Sequence, residues 1–66
     1  MKLWINDEPR EVPGVRTVAD VVAGLGLKGP ALLVEHNALA LRPAEWADRV
    51  LSPEDRLEII RIVAGG

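Results

Sequence analysis

Apolar and polar residues alternate at the start of the chain. Leu3 and Ile5 fall on one side, and Lys2, Trp4 and Asn6 on the other. A period of two predicts a strand with one face buried. Asp7-Glu8-Pro9 has turn chemistry, and Arg10-Glu11-Val12 reads as a short return strand closed by Pro13 and Gly14. The period then changes. Val18, Val21, Val22 and Leu25 recur at the spacing of one helix face. Thr17 stands at the N-cap with Asp20 three residues on, a capping-box variant, and Gly26 suits the left-handed position past the end. The valines lower the intrinsic propensity of this segment, so burial must hold the helix.

After Gly29-Pro30, the run Ala31-Leu32-Leu33-Val34-Glu35 predicts a strand covered on one or both faces. His36-Asn37 is expected to be a turn, because Asn tolerates positive φ, and Ala38–Leu41 a short edge strand. Pro43 before Ala44-Glu45-Trp46-Ala47 predicts a single helical turn, with Trp46 plugging the end of the core. The span Glu45–Pro53 reads as solvated surface over Trp46. Ser52-Pro53-Glu54-Asp55 is another turn, leading into Arg56–Val63, the longest predicted strand. No repeat or linker interrupts the chain. The order predicts an α+β domain over residues 1–63, one helix packed across a mixed sheet with a short second helical turn, and a flexible tail at 64–66.

Composition narrows the chemistry. Sixty-six residues, 48% of them hydrophobic, allow one small core. The sequence has no cysteine and a single histidine. Disulfide, thiolate-zinc and iron–sulfur chemistry are therefore excluded, and no catalytic or metal-ligating set is expected. A net charge of −2 argues against nucleic acid. No leader and no membrane-length apolar run is read, so a cytoplasmic protein is expected. His36 beside Glu35 reads as a solvated turn residue rather than an acid–base pair.

The last predicted strand is apolar on both faces. Leu57 and Ile59 share one face, followed by Arg61, while Arg56, Glu58, Ile60 and Ile62 share the other. A single helix covers one face of a small sheet. If the first and last strands are neighbours, Trp4, Ile60 and Ile62 form an apolar patch on the open face, unless a loop of the chain covers it. Arg56, Glu58 and Arg61 are then rim charges guiding partner choice, or plain surface charges. Beyond the patch come Ala64, Gly65 and Gly66. Without Cβ atoms, a Gly-Gly tail can thread a narrow channel and leaves its terminal carbonyl carbon open to attack.

The Thr17-Val18-Ala19-Asp20-Val21-Val22 helix opening, Val34-Glu35-His36-Asn37, Arg42-Pro43-Ala44-Glu45-Trp46-Ala47 and Leu57 through Gly66 together resemble the ThiS family. These are ubiquitin-like β-grasp sulfur carriers of thiamin biosynthesis. The resemblance runs over the whole chain. It departs from the family at Asn37-Ala38, where Asn-Gly is frequent, and at Arg42-Pro43, where Pro-Arg is frequent. The Trp46 element fits ThiS better than the longer molybdopterin-synthase small subunits.

The resemblance implies a carrier rather than an enzyme. An E1-like adenylyltransferase of the ThiF type would spend ATP to adenylate the Gly66 carboxylate, and no cofactor would be bound by the chain itself. A persulfide charged by a cysteine desulfurase would supply sulfur, and a thiazole synthase of the ThiG type would receive it from the Gly66 thiocarboxylate. Ala64 and Gly65 would thread the partner's active site, and Trp4, Ile60, Ile62, Glu58 and Arg61 would form the docking patch. Carriers for tRNA thiolation or molybdopterin synthesis, and ubiquitin-like modifiers, remain as alternatives.

Overall fold

The computed structural model describes residues 1–27 and 31–62. Strand β1 (Lys2–Ile5) turns into β2 (Glu8–Glu11), followed by helix α1 (Val18–Gly24), β3 (Leu32–His36), β4 (Leu39–Leu41), a 3-10 helix (Pro43–Asp48) and β5 (Arg56–Arg61). The five strands form one sheet in the order β2-β1-β5-β3-β4. The β1–β5 pair is parallel and the others are antiparallel, so the sheet is mixed as expected.

One sheet face is closed by α1. Leu3, Ile5, Val34 and Leu57 are buried against Val18 and Val21, and Trp46 closes the end of the cluster. The helix begins as its sequence predicts. The Thr17 hydroxyl accepts from the Asp20 backbone N–H at 3.3 Å, and the Asp20 carboxylate accepts from the Thr17 and Arg16 N–H groups at 3.0 and 2.9 Å. Those backbone donors hold the Asp20 carboxyl below its ordinary pKa of 3.8. Gly26 follows the helix at φ +70°, where a side chain would be strained.

The two hairpins turn one residue away from where the sequence suggests. In each, two consecutive residues take positive φ: Asn6 and Asp7 (51° and 66°), then Asn37 and Ala38 (48° and 71°). This pattern is the two-residue turn whose twist matches paired strands. Asn6 therefore leaves the strand, and Glu8 and Pro9 belong to β2 rather than to the turn. Pro9 lies opposite Trp4 on an edge strand, where a missing N–H is tolerated. Both asparagines also bond to β5. The Asn6 amide accepts from Ile59 N–H at 2.8 Å and donates to the Ile59 carbonyl at 3.1 Å. Asn37 Oδ1 accepts from Arg56 N–H at 2.8 Å.

One further expectation is corrected. The span Glu45–Pro53 is not simply solvated. Leu51 is buried, its N–H donates to the Arg16 carbonyl at 2.8 Å, and the Arg49 carbonyl accepts from Val18 N–H at 3.0 Å. That contact satisfies a helix N–H that has no partner within the helix. Of the two coverings expected for the run at 31–35, one face or both, the structure has one face, with Leu32 and Val34 buried and Leu33 exposed. Strand alternation forces this, since α1 occupies one side of the sheet.

Candidate functional site

The face of the sheet away from α1 is open, and β5 runs through its middle. Alternation places Lys2 and Trp4 of β1, Arg56, Glu58 and Ile60 of β5, and Leu33 and Glu35 of β3 on this side. The parallel register sets Trp4 beside Arg56, and the antiparallel register sets Leu33 opposite Ile60 and Glu35 opposite Glu58. The face is thereby divided along its length.

At one end Trp4 lies between two cations. Lys2 Nζ and the Arg56 guanidinium each sit 4.9 Å from its ring centroid, and its Nε1 donates to Glu54 Oε1 at 3.3 Å. Glu54 also lies 3.8 Å from Lys2 Nζ, and Asp7 lies 3.6 Å from Arg56. Glu54 itself takes φ +72°, directly after Pro53. A carboxylate that braces Trp4 thus occupies a turn position where glycine would be easier. At the other end Leu33, Ile60 and Ile62 are 39%, 52% and 52% exposed and make the apolar part of the face.

The sequence expectation that Trp4 joins Ile60 and Ile62 in one patch is corrected by the register. Trp4 pairs with Arg56, four residues before Ile60, a separation of roughly 13 Å along the strand. Leu33 takes the place next to Ile60. Only the pairing of β3 with β5 reveals it, because in sequence Leu33 sits inside an unbroken apolar run. Arg61 is not brought to this face either. It pairs with the buried Leu32 on the helix side, where it borders a groove with Arg10, Leu25 and Leu27. Ile62 donates its N–H to the Ala31 carbonyl at 2.6 Å just beyond β5. Ala64, Gly65 and Gly66 lie outside the described residues.

His36 is not a solvated turn residue. It shares the inward face of β3 with Leu32 and Val34 and is buried. Its Nδ1 accepts from Arg49 Nε at 2.8 Å, so Nε2 carries the proton and donates to Asp55 Oδ2 at 2.7 Å. Asp55 also accepts from Ser52 N–H at 2.9 Å and from Asn37 Nδ2 at 3.1 Å. Burial opposes ionisation of Asp55, but the bonds from His36, Ser52 and Asn37 outweigh it and hold the carboxyl below its ordinary 3.8. Both ring nitrogens of His36 and both carboxylate oxygens of Asp55 are used in joining the β4–β5 connection to β3 and its turn. The cluster fastens the site strand and offers no reactive group to it.

Comparison with known proteins matches this geometry to a group. The sequence profile described as the ThiS family covers residues 3–66. The sulfur carrier protein ThiS of Thermus thermophilus is 36% identical over 66 residues, covering 97% of this chain and 98% of that protein. A thiazole synthase of Magnetococcus marinus is 27% identical over 66 residues, and there the chain spans only 20% of the longer protein. The crystal structure of a thiamine biosynthesis protein (ThiS) from Geobacter metallireducens superposes with a TM-score of 0.80 at 23% identity, all of both chains being covered. That match shows the β-grasp fold.

Proposed function

The chain belongs to the ThiS family, and on that premise we propose that it carries sulfur for assembly of the thiamin thiazole ring. The observation that supports this reading most is the 36% identity to a sulfur carrier ThiS over nearly the full length of both chains. A stretch similar to this chain also occurs in thiazole synthases, which favours that ring as the destination over tRNA or molybdopterin.

In this reading the Gly66 carboxylate is the working group. A carboxylate is a poor electrophile, so a partner adenylyltransferase joins it to the α-phosphate of ATP and releases pyrophosphate. The terminal sulfur of a persulfide, charged by a cysteine desulfurase, attacks the acyl carbon and AMP leaves. A thiol then takes the donor's inner sulfur as a disulfide, and the thiocarboxylate remains on Gly66 for the thiazole synthase. The chain contributes no catalytic group and no cofactor. It supplies a face to be held and an end to be modified, in the cytoplasm where its partners work. Ala64 and Gly65 pass through the partner's channel because neither carries a bulky side chain.

Intact-mass analysis tests this directly. Protein co-expressed with its cognate adenylyltransferase and a persulfide source should show exchange of one oxygen for sulfur, located at Gly66 by fragmentation. Deleting Gly66 should abolish the exchange while the melting temperature stays that of the wild type. Lysine-linked conjugates instead of a thioacid would refute the carrier role. A thioacid that restores tRNA thiolation but not thiazole synthesis would refute its destination.

A further inference from the structure

The main-chain bonds between β1 and β5 stop short of the end of β5. Trp4 N–H donates to the Asp55 carbonyl and Asn6 N–H to the Leu57 carbonyl, each at 2.9 Å. The next rung falls at Ile59, but the chain takes positive φ at Asn6 and Asp7 and leaves for β2. The Asn6 side chain makes that rung instead. Its Oδ1 accepts from Ile59 N–H at 2.8 Å, and its Nδ2 donates to the Ile59 carbonyl at 3.1 Å. A carboxamide offers the donor and acceptor of a peptide group, so it stands in for the missing strand residue. Past Ile59, among the described residues, β5 is paired on the β3 side alone, ending with Ile62 N–H on the Ala31 carbonyl.

We infer that Asn6 is a positioning residue for the end of the chain: by fastening Ile59 on its second flank, it sets the direction in which β5 leaves the sheet toward Gly66. The inference rests on the carrier reading above, in which Gly66 is the working group. Residues 60–66 span up to ~24 Å when extended. A swing of about 10° at Ile59 therefore moves an extended end by roughly 4 Å. Misplacement of reacting groups by about 1 Å can already cost ~100-fold in rate. The apolar part of the open face is less exposed to the same change, because Ile60 stays paired with Leu33 across β3. Losing the amide should thus spare docking and impair delivery of the carboxylate, which separates kcat from KM.

The experiment follows adenylation of full-length chains by the cognate adenylyltransferase, as pyrophosphate release over a range of carrier concentrations. Asn6→Gly keeps the left-handed turn and removes the amide. Asn6→Asp keeps the turn and the acceptor but loses the donor, and supplies the same comparison if the glycine variant does not fold. Thr17→Ala, destabilised at the helix cap and outside β1 and β5, is the control for stability. Asn6→Gly should exchange the Ile59 amide proton faster and lower kcat roughly tenfold, with KM within about twofold of the wild type. Thr17→Ala should leave both constants unchanged. An unchanged kcat in the Asn6 variants, or an equal fall in Thr17→Ala, overturns the inference while leaving the carrier reading intact. A raised KM at unchanged kcat also overturns it, because Asn6 then serves docking. A wild type that is not adenylated overturns the carrier reading and the inference with it.

Discussion

Replacing Asp55 by Asn removes one charge and almost no volume, so it isolates the polar cluster that fastens β5. The best orientation of the new amide keeps its oxygen toward His36 Nε2 and Ser52 N–H, 2.7 and 2.9 Å away in the wild type. Its NH2 group then faces Asn37 Nδ2, now 3.1 Å from Asp55 Oδ1, and two donors oppose each other. Asn37 cannot flip to relieve this, because its Oδ1 accepts from Arg56 N–H at 2.8 Å. One bond to a charged acceptor is lost and two others become neutral. At about 1.5–3 kcal/mol for a charged bond and about 1 for a neutral one, the cost is about 2.5–7 kcal/mol. That is a large share of the ~3–10 kcal/mol available to a domain this small. The melting temperature should fall by at least about 10 °C.

The pH dependence supplies a second readout of the same variant. The folded-state pKa of Asp55 lies below its ordinary 3.8. Its stabilising contribution is therefore fully present above that ordinary value and disappears as pH falls through the lower, folded value. Asn cannot titrate. The stability gap between wild type and D55N should be widest at neutral pH and close in acid below about pH 4. Urea unfolding followed by fluorescence of the buried Trp46 measures both quantities. A neutral-pH gap under about 0.5 kcal/mol, the size of an ordinary surface change, would refute the assigned network. A gap that stays constant into acid would refute the role of the carboxylate charge.

Other substitutions separate backbone strain from side-chain contacts. Ala38→Gly relieves a left-handed residue at φ 71°, at about 1–2 kcal/mol, against a looser unfolded chain at about 0.4–1 kcal/mol; calorimetry should show a melting temperature a few degrees higher. Glu54→Gly relieves similar strain but removes the acceptor of Trp4 Nε1, so its gain should be smaller and the Trp4 fluorescence less polarised. Thr17→Ala removes the helix cap and should cost ~1 kcal/mol in chemical denaturation. Ile60→Asp changes a side chain that is 52% exposed. Its melting temperature should shift little, while the KM for adenylation rises roughly tenfold, because docking would bury the remaining half of a residue worth ~1.5–3 kcal/mol when fully covered.

Local chemistry is what the sequence determines by itself. The Thr17–Asp20 cap, the Val18, Val21 and Val22 stripe, the stop at Gly26 and the inward Leu57 and Ile59 all follow from interactions spanning a few residues, and each appears in the fold as read. The polar turns were legible as turns but misplaced by a residue. An Asn at positive φ is chosen partly by its bonds to β5, and Asn6 and Ile59 are 53 positions apart. Tertiary structure alone decides which side chains meet on the open face. The register of β5 against its two neighbours moves Trp4 away from Ile60, brings Leu33 in and sets Glu35 against Glu58. Periodicity states which face a residue occupies. Register is a relation between distant strands, set by packing of the common core, and it decides where along that face the residue stands.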